Sequence, residues 1–341
     1  MCRLRTGRCF RVVSGWWSVA GGDARVPGGI VKTLLVIVGP TGVGKTEVSL
    51  RVAEALGCPI VNADSRQVYR EIPIGTAAPT MAEQARVEHY FVGCKSVAED
   101  YNAGQYERDV MALLPRLFAE HETVVLTGGS MLYMDAVCKG LDEIPTVSAE
   151  VQQQVRGRYA KEGLAWLQQE VQRIDPAYWE TVDRQNPQRL IHCLEVSQQA
   201  GVPYSSLRRG AAKARDFRTV KVGLTRPRAE LYERINRRVE QMMAAGMEEE
   251  ARTVYAYRKC NSLQTVGYRE LFGYMDGEYD RARAVELIQQ NSRHYAKRQL
   301  TWFRRDAEMR WVDLSGEHMP VEKILKMLLM NEQDVYETMD I

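Results

Sequence analysis

The chain has 341 residues, of which 45% are hydrophobic and 26% charged, and a formal net charge of +2. That is enough chain for one large core or two modest ones, and an ordinary globular composition. No apolar run approaches the ~18 residues of a membrane span, so no membrane partner is expected. The cysteines at 2, 9, 58, 94, 138, 193 and 260 include no C-x-x-C pair; neither a disulfide framework nor a zinc site is indicated, and a reducing cytoplasm is the expected location.

Residues 1–30 carry five arginines against one acid, with the pair Trp16-Trp17 and clustered glycines but no apolar period. They read as a disordered or non-native extension, with an organelle transit peptide as the alternative. From 31 to 143 apolar strands at 34–38, 59–62 and 123–126 alternate with helical stretches such as 45–56 and 105–119, the pattern of a parallel sheet with flanking helices. Between the first strand and first helix lies GPTGVGKT: Gly39, Pro40, Thr41, Gly42, Val43, Gly44, Lys45 and Thr46. This matches G-x-x-x-x-G-K-[ST], a P-loop whose backbone N–H groups and helix N-terminus cradle a di- or triphosphate. Lys45 is placed to reach the terminal phosphates and Thr46 to put its hydroxyl on Mg²⁺.

Ligands of such sheets sit beyond the carboxyl ends of the strands. Gly39 to Thr46, Asp64 after the second strand and Gly128 to Ser130 after the third all fall there, so they are expected to converge. The third strand ends in Thr127-Gly128-Gly129-Ser130, without the carboxylate that P-loop NTPases use to help hold Mg²⁺. The surroundings of the cradle are therefore not those of an ordinary ATPase.

Ile144-Pro145-Thr146 breaks the pattern, and residues 144–217 read as a mostly helical insertion punctuated by Pro176, Pro187 and Pro203. A strand at 219–224 returns the chain to the sheet; amphipathic helices at 227–245, 247–257 and 284–305 complete a core running from 218 to 315, with 316–341 left as a tail. Charge is uneven: residues 31–200 carry 16 basic and 22 acidic side chains, residues 201–310 carry 23 and 14. A basic C-terminal portion beside a phosphate cradle suggests a polyanionic partner; solvated basic helix faces are the other reading.

Further along come Asp64-Ser65-Arg66-Gln67, Ile74-Gly75-Thr76-Ala77, Gly129-Ser130-Met131-Leu132-Tyr133, Asn186-Pro187-Gln188-Arg189-Leu190, Leu231-Tyr232-Glu233-Arg234-Ile235, Gln264-Thr265-Val266-Gly267-Tyr268 and Tyr295-Ala296-Lys297-Arg298-Gln299-Leu300-Thr301-Trp302-Phe303. With GPTGVGKT in front, this ordered set resembles the bacterial tRNA dimethylallyltransferases (tRNA isopentenyltransferases) over residues 33 to about 315. The resemblance implies transfer of the dimethylallyl group of dimethylallyl pyrophosphate to N6 of adenosine 37 beside the tRNA anticodon. It assigns Asp64 as general base, and Lys45, Thr46, Arg228 and Arg234, with Mg²⁺ on Thr46, to the departing pyrophosphate. A flipped base would meet Asp64, Ser65 and Gln67, with Ser130 at the rim, and Arg66 beside them would bind the tRNA. Gln152, Gln188, Arg189, Leu190, Ile191 and His192 in the insertion, and Lys297, Arg298 and Gln299 on the last long helix, would hold the anticodon stem-loop. Trp302 and Phe303 read as core anchors and His89 as a structural histidine. The expected state is a monomer.

The sequence departs from the family pattern at Ala78, where lysine is usual, at Asn186, where aspartate is usual, and at Gln152. Three other readings share the P-loop: a small-molecule kinase, an adenylate isopentenyltransferase acting on free nucleotides, and a non-catalytic RNA-binding module. The basic C-terminal half and the helical insertion count against the first two, and the intact Gly-Lys-Thr with Asp64 against the third.

Overall fold

The computed structural model describes residues 31–208, 210, 212–316 and 319–329. Residues 1–30, the expected extension, lie outside the described residues. Every element belongs to one unit, Lys32–Ile341.

Six strands form the sheet: β1 (Thr33–Val38), β2 (Ile60–Asn62), β3 (His89–Tyr90), β4 (Thr123–Gly128), β5 (Arg218–Thr225) and β6 (Arg310–Asp313). All neighbours pair in parallel in the order β3-β2-β4-β1-β5-β6. The α/β parallel core expected from the alternation is thus present. The short edge strands β3 and β6 were not foreseen, because two to four residues carry no readable period. Helices α1 (Lys45–Leu56), α2 (Pro73–Thr76), α3 (Met81–Arg86), α4 (Ala103–Glu120) and α5 (Met131–Lys139) occupy the first part of the chain. The insertion contains α6 (Ala149–Ile174), α7 (Pro176–Trp179), α8 (Pro187–Ala200) and α9 (Tyr204–Leu207). After β5 come α10 (Arg228–Ala244), α11 (Met247–Val254), α12 (Tyr268–Met275), α13 (Arg281–Phe303) and, beyond β6, α14 (Pro320–Leu329).

The pleat of β1 explains the two layers. Leu34, Val36 and Val38 face one side, packed with residues of α4, α5, α11 and α12; Leu35 and Ile37 face the other, against α1, α10 and α14. Burial on both faces is why the strand reads as a continuous apolar run. Each such side chain contributes about 1.5–3 kcal/mol by its burial. The segment beyond 316, read as a tail, contains α14, which seals the second layer with the fully buried Ile324.

Register sets the site. Val38 lies opposite Gly128 and Gly223, and Asn62 opposite Thr127, so the P-loop, Asp64 and Gly129 emerge at one edge. Gly128 is needed there: a Cβ would stand 2.2 Å from the Ala63 carbonyl oxygen.

The insertion has its own core, including Val155, Leu167, Val171, Leu190 and Leu194. Pro176 and Pro187 open α7 and α8, where a missing N–H costs nothing, and α6 bends at Gly163. Both connections to the sheet meet buried Glu107 of α4, whose carboxylate accepts from Leu141 N at 3.0 Å, Arg215 at 2.9 Å and Lys213 at 3.2 Å.

Candidate active site

The cradle is built as its glycines require. Gly44, at φ 112°, caps α1 in a left-handed conformation that a side chain would strain, turning the chain so that the first N–H groups of α1 face the loop. Lys45 Nζ donates to the carbonyls of Gly39 and Pro40 at 2.9 and 3.0 Å. Burial lowers the Lys45 pKa to about 8; the charge of Arg238 adds to the effect and Asp64 opposes it.

Arginines ring the loop. Arg234 Nε donates to Gly42 O at 2.8 Å and Arg226 Nε to Val43 O at 2.9 Å. Arg238 lines the same cavity, its pKa lowered chiefly by burial while Asp64 pulls it back up. Arg228, expected beside Arg234, instead lies exposed with its guanidinium 5.0 Å from the Tyr232 ring centre, outside the cavity lining. The reason is helical phase: six residues leave two side chains about 120° apart around the axis, four leave them about 40° apart. Arg238, four after Arg234, is therefore the partner on the inward face, and the i,i+4 spacing was the signal available for it.

Asp64 follows β2, and its Oδ1 accepts from Arg66 N at 2.9 Å and Gln67 N at 3.4 Å, a local turn that holds the carboxylate at the strand end. Ser130 Oγ accepts from Ser65 N at 2.7 Å and donates to Ser65 Oγ at 3.0 Å, joining this turn to the start of α5. Gln67 Nε2 donates to Thr76 O and Ala77 O at 3.1 and 3.0 Å, so its amide orientation is set by the α2 turn. Glu250 in turn accepts from Ile74 N and Gly75 N, each at 2.8 Å, and from the Tyr268 hydroxyl, fixing α2. Arg66 spans to Asn261 O and Ser262 O at 2.7 and 2.9 Å.

These groups surround a cavity of about 690 Å³. Gly42, Gly44, Lys45 and Thr46 line one part of its wall, and Asp64, Ser65, Arg66 and Gln67 another. Met242, Met247, Val266 and Ile288 add apolar surface. His89 also lines it; Nδ1 sits 2.7 Å from Val87 O and burial lowers its pKa, in keeping with a structural histidine.

Gln299 has a different place from the one expected. Rather than facing an RNA phosphate it is 1% exposed. Its Oε1 accepts from Thr41 N at 2.9 Å and its Nε2 donates to Gly129 O at 2.8 Å, so α13 clamps the P-loop to the turn after β4. Arg298 lines the cavity, with its guanidinium 5.7 Å from the Tyr295 ring centre, and Lys297 is exposed. Phe303 is buried as expected; Trp302 is 38% exposed and is not a core anchor.

The insertion residues lie apart from the cavity lining. Gln188 and Arg189 are exposed on the first turn of α8, and His192 meets the Tyr204 ring edge-on at 5.3 Å. Leu190 and Ile191, expected to touch RNA, are 0% and 5% exposed in the insertion core; two residues of every turn must face inward for α8 to pack. Gln152 Nε2 donates to Val147 O at 3.3 Å.

A P-loop at the carboxyl edge of a parallel sheet, facing a fixed carboxylate across a cavity rimmed with arginines, defines a group-transfer enzyme acting on a phosphorylated substrate. The model of the IPP transferase family matches residues 67–306, and the chain belongs to that family. It is 55% identical over 280 residues to tRNA dimethylallyltransferase 1 of Bacteroides fragilis, covering 82% of this chain and 93% of that protein. It is likewise 55% identical to tRNA dimethylallyltransferase 2 of Porphyromonas gingivalis over 82% of this chain and 93% of that protein. Among solved structures it is similar to the tRNA isopentenylpyrophosphate transferase of Bacillus halodurans, with TM-score 0.62, 33% identity and coverage of 87% of this chain and 94% of that one. A eukaryotic dimethylallyltransferase acting on tRNA shares the fold at TM-score 0.70 and 20% identity, over 89% of this chain and 77% of that one.

Proposed function

We propose that this protein transfers the dimethylallyl group of dimethylallyl pyrophosphate to N6 of adenosine 37 in tRNA, giving N6-isopentenyladenosine and pyrophosphate. The observation that carries the reading is the convergence of the P-loop, Arg234, Arg238 and Asp64 on one cavity in a chain of the IPP transferase family.

The exocyclic amine of adenine is a weak nucleophile, because its lone pair is delocalised into the ring. As the N6–C bond forms, the allylic C–O bond breaks and pyrophosphate leaves with the electron pair. Asp64 takes the N6 proton, a role worth about 10²–10⁴ in rate. The loop amides, Lys45, Arg234 and Arg238 stabilise the charge on the leaving group, and stabilisation of developing charge is usually the largest catalytic effect. Thr46 would hold Mg²⁺, which supplies further charge neutralisation when bound. One protein oxygen suits an ion that keeps most of its other positions for phosphate and water, and the Thr46 side chain stands at the cavity wall. The base leaves its stack to enter the cavity, where Gln67 Oε1 is left to read its edge once Nε2 is held by α2. Gln188, Arg189, His192, Lys297 and Arg298 grip the stem-loop backbone. The protein acts as a cytoplasmic monomer; the free thiols of Cys58, Cys94, Cys138, Cys193 and Cys260 suit a reducing compartment, and among the described residues no helix is long and apolar enough to cross a membrane.

Nucleosides from tRNA incubated with the protein and dimethylallyl pyrophosphate, analysed by mass spectrometry, test this. A mass increase on adenosine 37 is expected. Modification of free AMP in preference to tRNA would replace the reading with the adenylate isopentenyltransferase, and consumption of ATP in step with product would replace it with the kinase.

A further inference from the structure

A second cleft, of about 180 Å³, is lined by residues of α5 and of the C-terminal end of α13. Met131, Met134, Cys138 and Phe303 give it an apolar lining, and the indole of Trp302 forms part of its wall. Trp302 follows Arg298, which lines the catalytic cavity, by one helical turn, about 6 Å along the axis. Its only donor is spent: Nε1 donates to Asp135 Oδ2 at 2.9 Å. The bond fixes the ring on α5 and leaves its π-face as the available recognition surface. One turn back from Asp135, Leu132 is 54% exposed.

Charge indicates the occupant. Lys297 and Arg298 on the last turns of α13, and Arg304 and Arg305 just after it, are exposed near Trp302 in sequence, and the Arg305 guanidinium stands 5.7 Å from the indole centre. The carboxylates nearby are paired with lysines: Asp135 with Lys139 at 3.3 Å, Asp306 with Lys221 at 2.9 Å and Lys139 at 3.6 Å, and Glu308 with Lys221 at 2.6 Å. An aromatic face among arginines is the composition of a stacking platform for single-stranded nucleic acid, in which base faces lie on the ring and phosphates on the cations.

We infer that Trp302, with Arg305, is a stacking platform for an unpaired nucleotide of the anticodon loop next to the target adenosine. It would hold the neighbour while the target base enters the catalytic cavity. The inference rests on the proposed tRNA substrate and adds a contact that selects unpaired loops over duplex.

The experiment measures binding of an anticodon stem-loop oligonucleotide to the full chain across a salt series, for the wild type, Trp302→Ala and Trp302→Phe. Each is paired with the intact loop and with loops made abasic at one nucleotide flanking the target. Trp302→Ala should weaken binding of the intact loop by about 5- to 150-fold, the range spanned by base–aromatic stacking, with the salt slope unchanged. Trp302→Phe should recover most of the loss. One abasic loop should bind the wild type more weakly but show no further loss with Trp302→Ala, because both changes remove the same contact. Unchanged affinity in Trp302→Ala, or losses that add fully for both abasic loops, overturns the platform while the tRNA reading stands. A wild type that neither binds nor modifies the stem-loop overturns both.

Discussion

Replacing Gln299 by alanine tests whether α13 holds the P-loop in shape. The side chain is 1% exposed and bridges Thr41 N to Gly129 O at 2.9 and 2.8 Å. Two net hydrogen bonds are worth about 2 kcal/mol together, and whichever partner is left dry costs about 1–3 kcal/mol more. A loss of about 3–5 kcal/mol follows, or a fall in melting temperature of roughly 6–20 °C at the sensitivity of domains above 150 residues. Gln299→Glu separates bridging from space-filling, because a carboxylate can still accept from Thr41 N but cannot donate to Gly129 O, and burying its charge adds a further penalty. The assays are thermal melting and binding of inorganic pyrophosphate. Both variants should melt lower and bind pyrophosphate more weakly, with Gln299→Glu at least as impaired as Gln299→Ala. An alanine variant that melts within about 1 °C of the wild type and binds pyrophosphate equally well would refute the clamp, since even one lost bond exceeds that shift.

Asp64→Ala should lower the rate of transfer by about 10²–10⁴ with stem-loop affinity close to unchanged; near-normal turnover would remove Asp64 as the base. Lys45 carries a pH prediction: with its pKa lowered from 10.5 to about 8 in the ligand-free protein, affinity for pyrophosphate should fall as pH rises through about 8, and Lys45→Met should abolish that dependence. The sign for stability is opposite. Between about pH 8 and 10.5 the unfolded chain binds more protons than the folded one, so stability of the ligand-free protein should rise across that window, and denaturant melts of wild type and Lys45→Met should show it only in the former. Neutralising Lys297 and Arg298 together should flatten the log–log dependence of stem-loop binding on salt by roughly 0.7–0.9 per lost phosphate contact; an unchanged slope would place the RNA elsewhere.

The parallel core and the site's position at one sheet edge were legible because their signals are local. A continuous apolar run means a strand buried on both faces, and GPTGVGKT specifies its own backbone through glycines at positions that must turn. The strand ends named Asp64 and Gly128–Ser130 as neighbours of that loop, and the register of β1, β2 and β4 brings them there. What sequence left open depends on contacts between distant segments. Helical phase, not nearness in the motif, puts Arg234 and Arg238 inward and Arg228 outward. Leu190 and Ile191 are drawn into the insertion core by the packing of α8 on α6, while Gln188 and Arg189 of the same motif remain in solvent. Gln299 is 258 residues from Thr41, and no periodicity distinguishes a glutamine aimed at the P-loop from one aimed at solvent. Trp302 and Phe303 are consecutive aromatics, but adjacent residues on a helix point about 100° apart; tertiary packing buried Phe303 and left the Trp302 ring at the surface.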